Sequence, residues 1–374
     1  MIRVAYLCEF PSVNGGENSL LSFLASTPEE IEPIVLCPQA GPFAERLRQM
    51  GIASEGLHLV DSNGQRRDPE LVNAELLAIL KSLSPQIVHA NSLSMSRVLG
   101  RIANKLSIPC FGHLRDILNV SKKVISDLSQ LSKCIAVSDA TRQCYVEQGL
   151  DEQRILRIYN GITSKQPENA LASNREGLRA RLGLGSSSPL IGGIGQIGLR
   201  KGWDVLLDAV EHWLATDPTV DPHVVIAGVR HSNKQESIEY EQVLLQRGKH
   251  GPLSGRVHLV GYWTPIDQFL QEIDVLTHPA YQEPLGRVLL EAAALGTPVI
   301  ATDVGGTPEI FGESGAVLVP KADSRAMAEG LSRVLKEPEF SRCLTKEAAS
   351  RVQTLFGTER HREAVLDLYR SILN

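Results

Sequence analysis

The 374-residue sequence predicts an α/β protein built from two Rossmann-like domains in tandem. Three observations predict it. The chain exceeds the roughly 250–300 residues that one hydrophobic core serves, so two domains of about 150–200 residues are expected. Short runs rich in Val, Ile and Leu, apolar on both faces, alternate with longer helical patterns, as in parallel sheets covered on both sides. The alternation breaks once, over 163–189, at the polar stretch SKQPENALASN and the breaker cluster GLGSSSP, and then restarts. The domains are placed at 1–165 and 166–355, with a terminal segment over 356–374.

In the first half the expected strands are IRVAYLCE (2–9), EPIVLCP (32–38), GLHLV (56–60), QIVHAN (86–91), PCFGHL (109–114), KCIAVS (133–138) and RILRIYN (154–160). Helical patterns lie between several of them, at 69–83 and 94–107. After the connection, a short helix is expected near REGLRARLG. Strands follow at PLIGGIG (189–195), HVVIAGV (223–229), RVHLVG (256–261), DVLTHP (274–279), PVIATDV (298–304) and GAVLVP (315–320). The last segment, 354–374, reads as an amphipathic helix. In such a pair of domains a ligand is expected between the two, at the carboxyl ends of the strands.

Composition excludes several classes of function. Hydrophobic content of 43% with 22% charged residues is globular. No apolar run approaches the roughly 18 residues of a spanning helix, and the opening MIRVAYLCEF reads as a buried strand rather than a signal peptide. Net charge is −5, with Lys+Arg balancing Asp+Glu at 17 each up to residue 165 and 21 against 26 beyond it, so no nucleic-acid partner is implied. Six scattered cysteines without a C-x-x-C suggest reduced thiols in a cytoplasmic protein. Arg97, Arg101 and Lys105 share one helix face, with Lys122, Lys123 and Lys133 not far along the chain. Such a face suits a peripheral contact with anionic lipid at the inner membrane surface. The half has no net positive charge, and a solvated face is the simpler expectation.

The most informative segment is HPAYQEPLGRVLLEAAALGTPVIATDVGGTPEI (278–310). A loop carries Glu283, a helix begins near Pro284 to Gly286, and Gly296 ends it. Glu291 is a carboxylate in a helix that is apolar almost all round, so it either needs a partner or occupies the one solvated face. Two carboxylates facing a cleft can accept hydrogen bonds from the vicinal diols of ribose or hexose, and the helix N-terminus favours a phosphate beside them. The spacing E-x7-E, filled as EPLGRVLLE (283–291) and followed by EAAALGTPVIATDVGG, resembles the signature of retaining GT-B glycosyltransferases, family 4 in particular. The resemblance implies that Glu283 contacts the donor sugar and Glu291 the ribose, while Leu285, Gly286 and Arg287 give backbone N–H groups to the donor.

Further motifs extend the resemblance over nearly the whole chain. IGGIGQIGLRKGWDVLLDAV (191–210) holds a G-x-G-x-x-G at Gly193, Gly195 and Gly198, which alone suggests dinucleotide binding. The following basic pair, Arg200-Lys201, suits a diphosphate. The family's Lys-Gly matches Lys201-Gly202; the Arg it often carries five residues earlier is Gln196 here, and the Arg sits at 200, next to the Lys. Gly15 and Gly16 in PSVNGGENSLLSFLA (11–25) resemble the family's G-G-x-E loop, with Glu17 one place early. His113 in CFGHLRDI (109–117), with Arg115 and Asp116 nearby, matches the family's His near the reacting centre. AVSDA around Ser138 and Asn160-Gly161 are smaller matches, and Thr163 replaces the usual Asp.

What the resemblance implies is a GT-B enzyme whose two parallel sheets face across a cleft. The N-domain would bind the acceptor, the C-domain the nucleotide-sugar donor, and the last helix would pack back on the N-domain. The reaction implied is retaining hexosyl transfer from a UDP- or GDP-sugar to a carbohydrate, lipid-linked or small-molecule acceptor, with His113, Glu283, Lys201 and Arg200 at the reacting centre. No separate cofactor is expected, and without a D-x-D or a metal-spaced cluster, metal independence is expected too. The rival readings are an NAD-dependent oxidoreductase, a non-catalytic sugar-nucleotide-binding module and a nucleotide-sugar epimerase of the same fold.

Overall fold

A computed structural model describes residues 1–373 except Pro28, Ser62, residues 164–175 and Ser186. The polar stretch SKQPENALASN (164–174) of the expected connection therefore lies outside the described residues. The chain divides into two units, Met1–Thr163 with Phe356–Asn374, and Ser164–Leu355.

In the first unit β1 (Ile2–Leu7), β2 (Ile31–Cys37), β3 (Ala53–Gly56), β4 (Ile87–Ala90), β5 (Cys110–Leu114), β6 (Lys133–Ala136) and β7 (Ile155–Arg157) form one sheet. Its order is β3-β2-β1-β4-β5-β6-β7, and every pair is parallel. Alternate residues of β1 explain why the strand is apolar from Val4 onward. Ala5 and Leu7 enter one core cluster, Val4 and Tyr6 the cluster on the other face. Val365, Leu366 and Tyr369 of the last helix, Thr358–Leu373, lie in that second cluster beside Tyr6, Phe23 and Phe111.

The second unit repeats the plan with β8 (Leu190–Ile194), β9 (His223–Ala227), β10 (Val257–Gly261), β11 (Val275–His278), β12 (Val299–Thr302) and β13 (Val317–Val319). Its order is β10-β9-β8-β11-β12-β13, again parallel in every pair. Helices Trp203–Thr216 and Ser324–Lys336 cover one face, with Trp203 and Trp213 buried against Ile191, Met327 and Leu331. Side-chain caps begin several helices as their sequences suggest. Asp68 accepts from the Glu70 N–H at 2.8 Å, Ser92 from Met95 at 3.2 Å, and Asp323 from Ala326 at 2.9 Å.

One strand is displaced from its expected segment. GLHLV (56–60) is not the strand; β3 is Ala53–Gly56, which pairs with β2 until Cys37 meets Gly56. Leu57 and Leu59 stay buried in the core beyond the ladder's end. The chain then turns at Asp61, whose carboxylate accepts the Asn63 and Gln65 N–H groups at 2.9 Å each. Burial made those leucines look like strand residues, while the partner strand had already ended.

Helices Leu93–Ile102 and Lys122–Leu128 cross at Gly100, where an added Cβ would lie 2.0 Å from the Asp127 carbonyl oxygen. A methyl group there must force the helices apart, and overpacking of this kind costs about 1–3 kcal/mol. Gly100→Ala should lower the urea midpoint of unfolding accordingly; an unchanged midpoint would contradict the close crossing.

Candidate active site

Each sheet reverses its strand order once, and an open parallel sheet binds ligands at the carboxyl ends of the two strands flanking the reversal. In the second unit those strands are β8 and β11. Val275 lies opposite Ile191 and Leu276 opposite Gly192, so the loops that follow both strands leave from the same edge. The glycine loop follows β8, and the loop carrying Glu283 follows β11.

Backbone contacts lock the two loops together. Gly202 takes φ +64°, and a Cβ there would lie 2.1 Å from the Pro279 carbonyl oxygen, a place only glycine fills. The Tyr281 N–H donates to the Arg200 carbonyl at 2.9 Å, and the Gly306 N–H to the Glu283 carbonyl at 2.9 Å. The indole N–H of Trp203 donates to the Gln196 carbonyl at 3.1 Å and fixes the glycine turn from behind.

The result is a buried charged cluster. Lys201 Nζ donates to Glu283 Oε2 at 2.8 Å, and His278 Nε2 donates to the same oxygen at 2.8 Å. The Lys201, Glu283 and His278 side chains are 13%, 11% and 1% exposed. Burial alone would push the Glu283 carboxyl up, but the Lys201 ammonium and the His278 hydrogen bond outweigh it and hold it well below the usual carboxylate range. Burial and the neighbouring Lys201 charge lower the His278 pKa, so its ring is neutral. A carboxylate only accepts, so the proton of that ring sits on Nε2.

The other predicted donor-side residues are near but not equivalent. The basic pair is split: Lys201 turns in to Glu283, while Arg200 is exposed and takes part through its carbonyl. Leu285 is buried, and Gly286 precedes helix Arg287–Leu295 with φ +95°. The first N–H groups of any helix lack partners within it. Glu291 has the partner its surroundings demand: Arg287 Nε, one turn earlier, donates to it at 2.9 Å. Both side chains are about a quarter exposed, at 25% and 28%, so Glu291 stands at the accessible side of its helix.

In the first unit the reversal lies between β1 and β4, and Arg115, just past β5, is the hub there. Its guanidinium donates to the Asn91 carbonyl at 3.1 Å, Asn91 Oδ1 at 2.8 Å, Asn160 Oδ1 at 2.8 Å and His113 Nδ1 at 3.1 Å. Asn91 Nδ2 in turn donates to the Gly16 carbonyl at 3.2 Å, and a Cβ on Gly16 would lie 3.1 Å from Arg115 Cδ. The structure thus brings Gly16 and His113 to one network, while Gly15 has open space beside it. Glu17 accepts the Asn14 N–H at 3.1 Å at the helix start. Ser138 likewise caps a helix, accepting the Thr141 N–H at 3.0 Å. His113 is buried, and burial with the Arg115 charge holds its pKa well below the ordinary value. Arginine only donates, so His113 Nδ1 accepts and Nε2 carries the proton. That Nε2 is buried with no partner among the described residues.

His278, Asn91 and Ser19, whose hydroxyl donates to Asn160 Oδ1 at 2.9 Å, were not singled out from sequence. A histidine closing an otherwise apolar strand five residues before Glu283 was the available signal for His278. Among the described residues no group of three or more His, Cys, Asp or Glu is placed to hold a metal ion, and no helix is long and apolar enough to cross a membrane.

Because the folded-state pKa of Glu283 is depressed, it contributes stability that is present above about pH 4.3 and lost as pH falls through its folded value. Glu283→Gln removes that contribution. Its melting temperature should fall less steeply than the wild type's from about pH 5 to about pH 3; parallel slopes would show that the cluster does nothing for the carboxylate.

Residues 188–337 match the model of glycosyl transferases group 1, and residues 13–166 that of Glycosyltransferase Family 4. Among curated proteins, a D-inositol 3-phosphate glycosyltransferase of Streptomyces griseus is 29% identical over 267 residues, 69% of this chain and 55% of that protein. A lipopolysaccharide core biosynthesis mannosyltransferase of Rhizobium meliloti is 25% identical over 219 residues, 58% of this chain and 60% of that protein. The chain spans about half the length of the D-inositol 3-phosphate glycosyltransferases it matches. Among solved structures, Anabaena HepE in complex with UDP-glucose superimposes with a TM-score of 0.84 at 21% identity, covering 99% of this chain and 100% of that one. A glycosyltransferase of Rickettsia africae does so with 0.82 at 18% identity, covering 100% and 99%. These likenesses show the fold, GT-B. With both halves matched in order, the chain belongs to the group 1, family 4 glycosyltransferases.

Proposed function

We propose that the protein is a retaining glycosyltransferase that moves a hexose from a UDP- or GDP-sugar to an acceptor hydroxyl, without a metal. The observation that carries the reading is the cluster at the β8/β11 reversal, where Lys201 meets a buried, ionised Glu283. Both hydrogen bonds fall on Oε2, and among the described residues none is formed to Oε1. That oxygen is the acceptor a sugar hydroxyl needs. Lys201, with the exposed Arg200 next to it, answers the diphosphate. Leu285, Gly286 and Arg287 present helix N-terminal N–H groups to the same anion. Glu291, at the accessible side of its helix, takes the ribose hydroxyls. In the first unit His113, whose Nε2–H has no partner among the described residues, and the loop of Gly15 and Gly16 are the further candidates for substrate contact.

The protein's contribution to the chemistry is positioning and stabilisation of the departing diphosphate. The acceptor hydroxyl gives its proton to a β-phosphate oxygen on the face from which the nucleotide leaves. Glu283 is no nucleophile in this account, since a carboxylate clamped by an ammonium and an imidazole is a poor one. The acceptor class is a carbohydrate, a lipid-linked sugar or a small polar molecule; the named relatives act on an inositol phosphate and a lipopolysaccharide core. An oxidoreductase reading gains nothing: β9 ends at Ala227 with Gly228, Val229 and Arg230 after it, offering no acid for a ribose there.

Glu291→Ala should weaken binding of the free nucleoside diphosphate about ten- to a hundredfold, the loss of hydrogen bonds to a charged group. Unchanged affinity by calorimetry would leave Glu291 a helix residue only. The test of the reaction is NMR of the product's anomeric proton, with and without chelator. Retained configuration and full activity in chelator are expected; an inverted product, or a glycosyl adduct on Glu283 by mass spectrometry, would overturn the mechanism.

A further inference from the structure

We propose that His278 is the positioning residue for Glu283: donating to Oε2 from the end of β11, it sets the plane of the carboxylate so that Oε1 faces the donor sugar. The inference rests on the reading of Glu283 as the sugar contact and adds to it the group that orients it. The geometry separates two bonds that fall on one oxygen. Lys201 reaches Oε2 at the end of a flexible four-carbon stem, and its charge is the one a bound diphosphate draws on. His278 reaches it from a strand whose other members, Val275, Leu276 and Thr277, are fully buried. Its ring has only two side-chain torsions and cannot follow the phosphates. When Lys201 is shared with a diphosphate, the imidazole keeps the carboxylate in place.

An uncharged donor is what that duty requires. A cation there would neutralise Glu283 and weaken its grip on a hydroxyl. The charged groups acting on the ring are Lys201 and Arg200, from the loop after β8, and Glu283 itself; burial and the two cations favour the neutral ring. Its Nδ1 is buried with no partner among the described residues. A leucine would fill this apolar site without that unmet acceptor, so packing alone gives no reason for a histidine.

The test is steady-state kinetics, with whichever of UDP-glucose and GDP-mannose is turned over, on His278→Leu and His278→Gln, each alone and combined with Glu283→Ala. His278→Leu should lower kcat about tenfold or more, as the loss of one hydrogen bond to a charged group does, and leave nucleoside diphosphate affinity within about twofold. His278→Gln, which can still donate, should recover most of the loss. In the Glu283→Ala background His278→Leu should add less than about a further twofold, because it acts through the carboxylate. A loss that Gln does not recover, or that adds fully to Glu283→Ala, assigns His278 to the fold and overturns the proposal. Failure of the functional reading looks different: Glu283→Ala would then leave transfer unchanged. Nitrogen-15 NMR gives a readout without turnover. The expected signal is a neutral His278 protonated on Nε2 at pH 6; a protonated ring, or the Nδ1–H tautomer, overturns it.

Discussion

The candidate site depends on keeping one carboxylate ionised inside the protein. Glu283 is almost buried, and an isolated buried charge would cost several kcal/mol. Lys201 and His278 offset that cost by bonding the same oxygen. Much of the surrounding backbone serves to hold the three groups together. Gly202 lets the loop after β8 touch the loop after β11, and the Gly306 N–H fastens the Glu283 carbonyl. Trp203 anchors the glycine turn. Replacing Glu283 or Lys201 would leave its partner's charge buried without the other, a change that in general is strongly destabilising.

The sheets supply the place for this cluster. Parallel strands in the middle of each sheet, such as β4, β5, β11 and β12, are buried along their whole length, so chemistry is left to the loops at their carboxyl ends. Where the strand order reverses, two such loops diverge and leave room for a ligand. The same logic operates in the first unit, where Arg115, past β5, gathers Asn91, Asn160 and His113. There the centre is a cation that donates to Asn91, Asn160 and His113, and burial together with that cation keeps His113 neutral with a buried N–H to offer.

The alternation of strands and helices was legible because burial on both faces demands continuous apolar runs. So were Glu283 and Lys201, since a polar group beside a Gly- or Pro-marked loop stands out against apolar strands. Their contact was not: 82 residues separate them, and only the β8/β11 pairing brings their loops together. His278 went unmarked because one histidine at a strand end gives no periodic signal. Glu291 presented the opposite difficulty. Its neighbours in sequence are apolar, which left burial with a partner and the one solvated face both open; Arg287 one turn away and partial exposure combine the two. The misplaced strand at 56–60 has the same origin, since Leu57 and Leu59 are core residues outside any ladder. Burial is readable from composition, whereas pairing depends on where the neighbouring strand ends.

The central claim is that the Lys201–Glu283–His278 cluster receives the donor. A crystal structure in complex with whichever of UDP, GDP, ADP and TDP most raises the melting temperature tests it most directly. The account predicts the diphosphate at Lys201, the ribose at Glu291, and His278 still bonded to Glu283 Oε2. A nucleotide bound elsewhere, with Lys201 and Glu283 undisturbed, would contradict it.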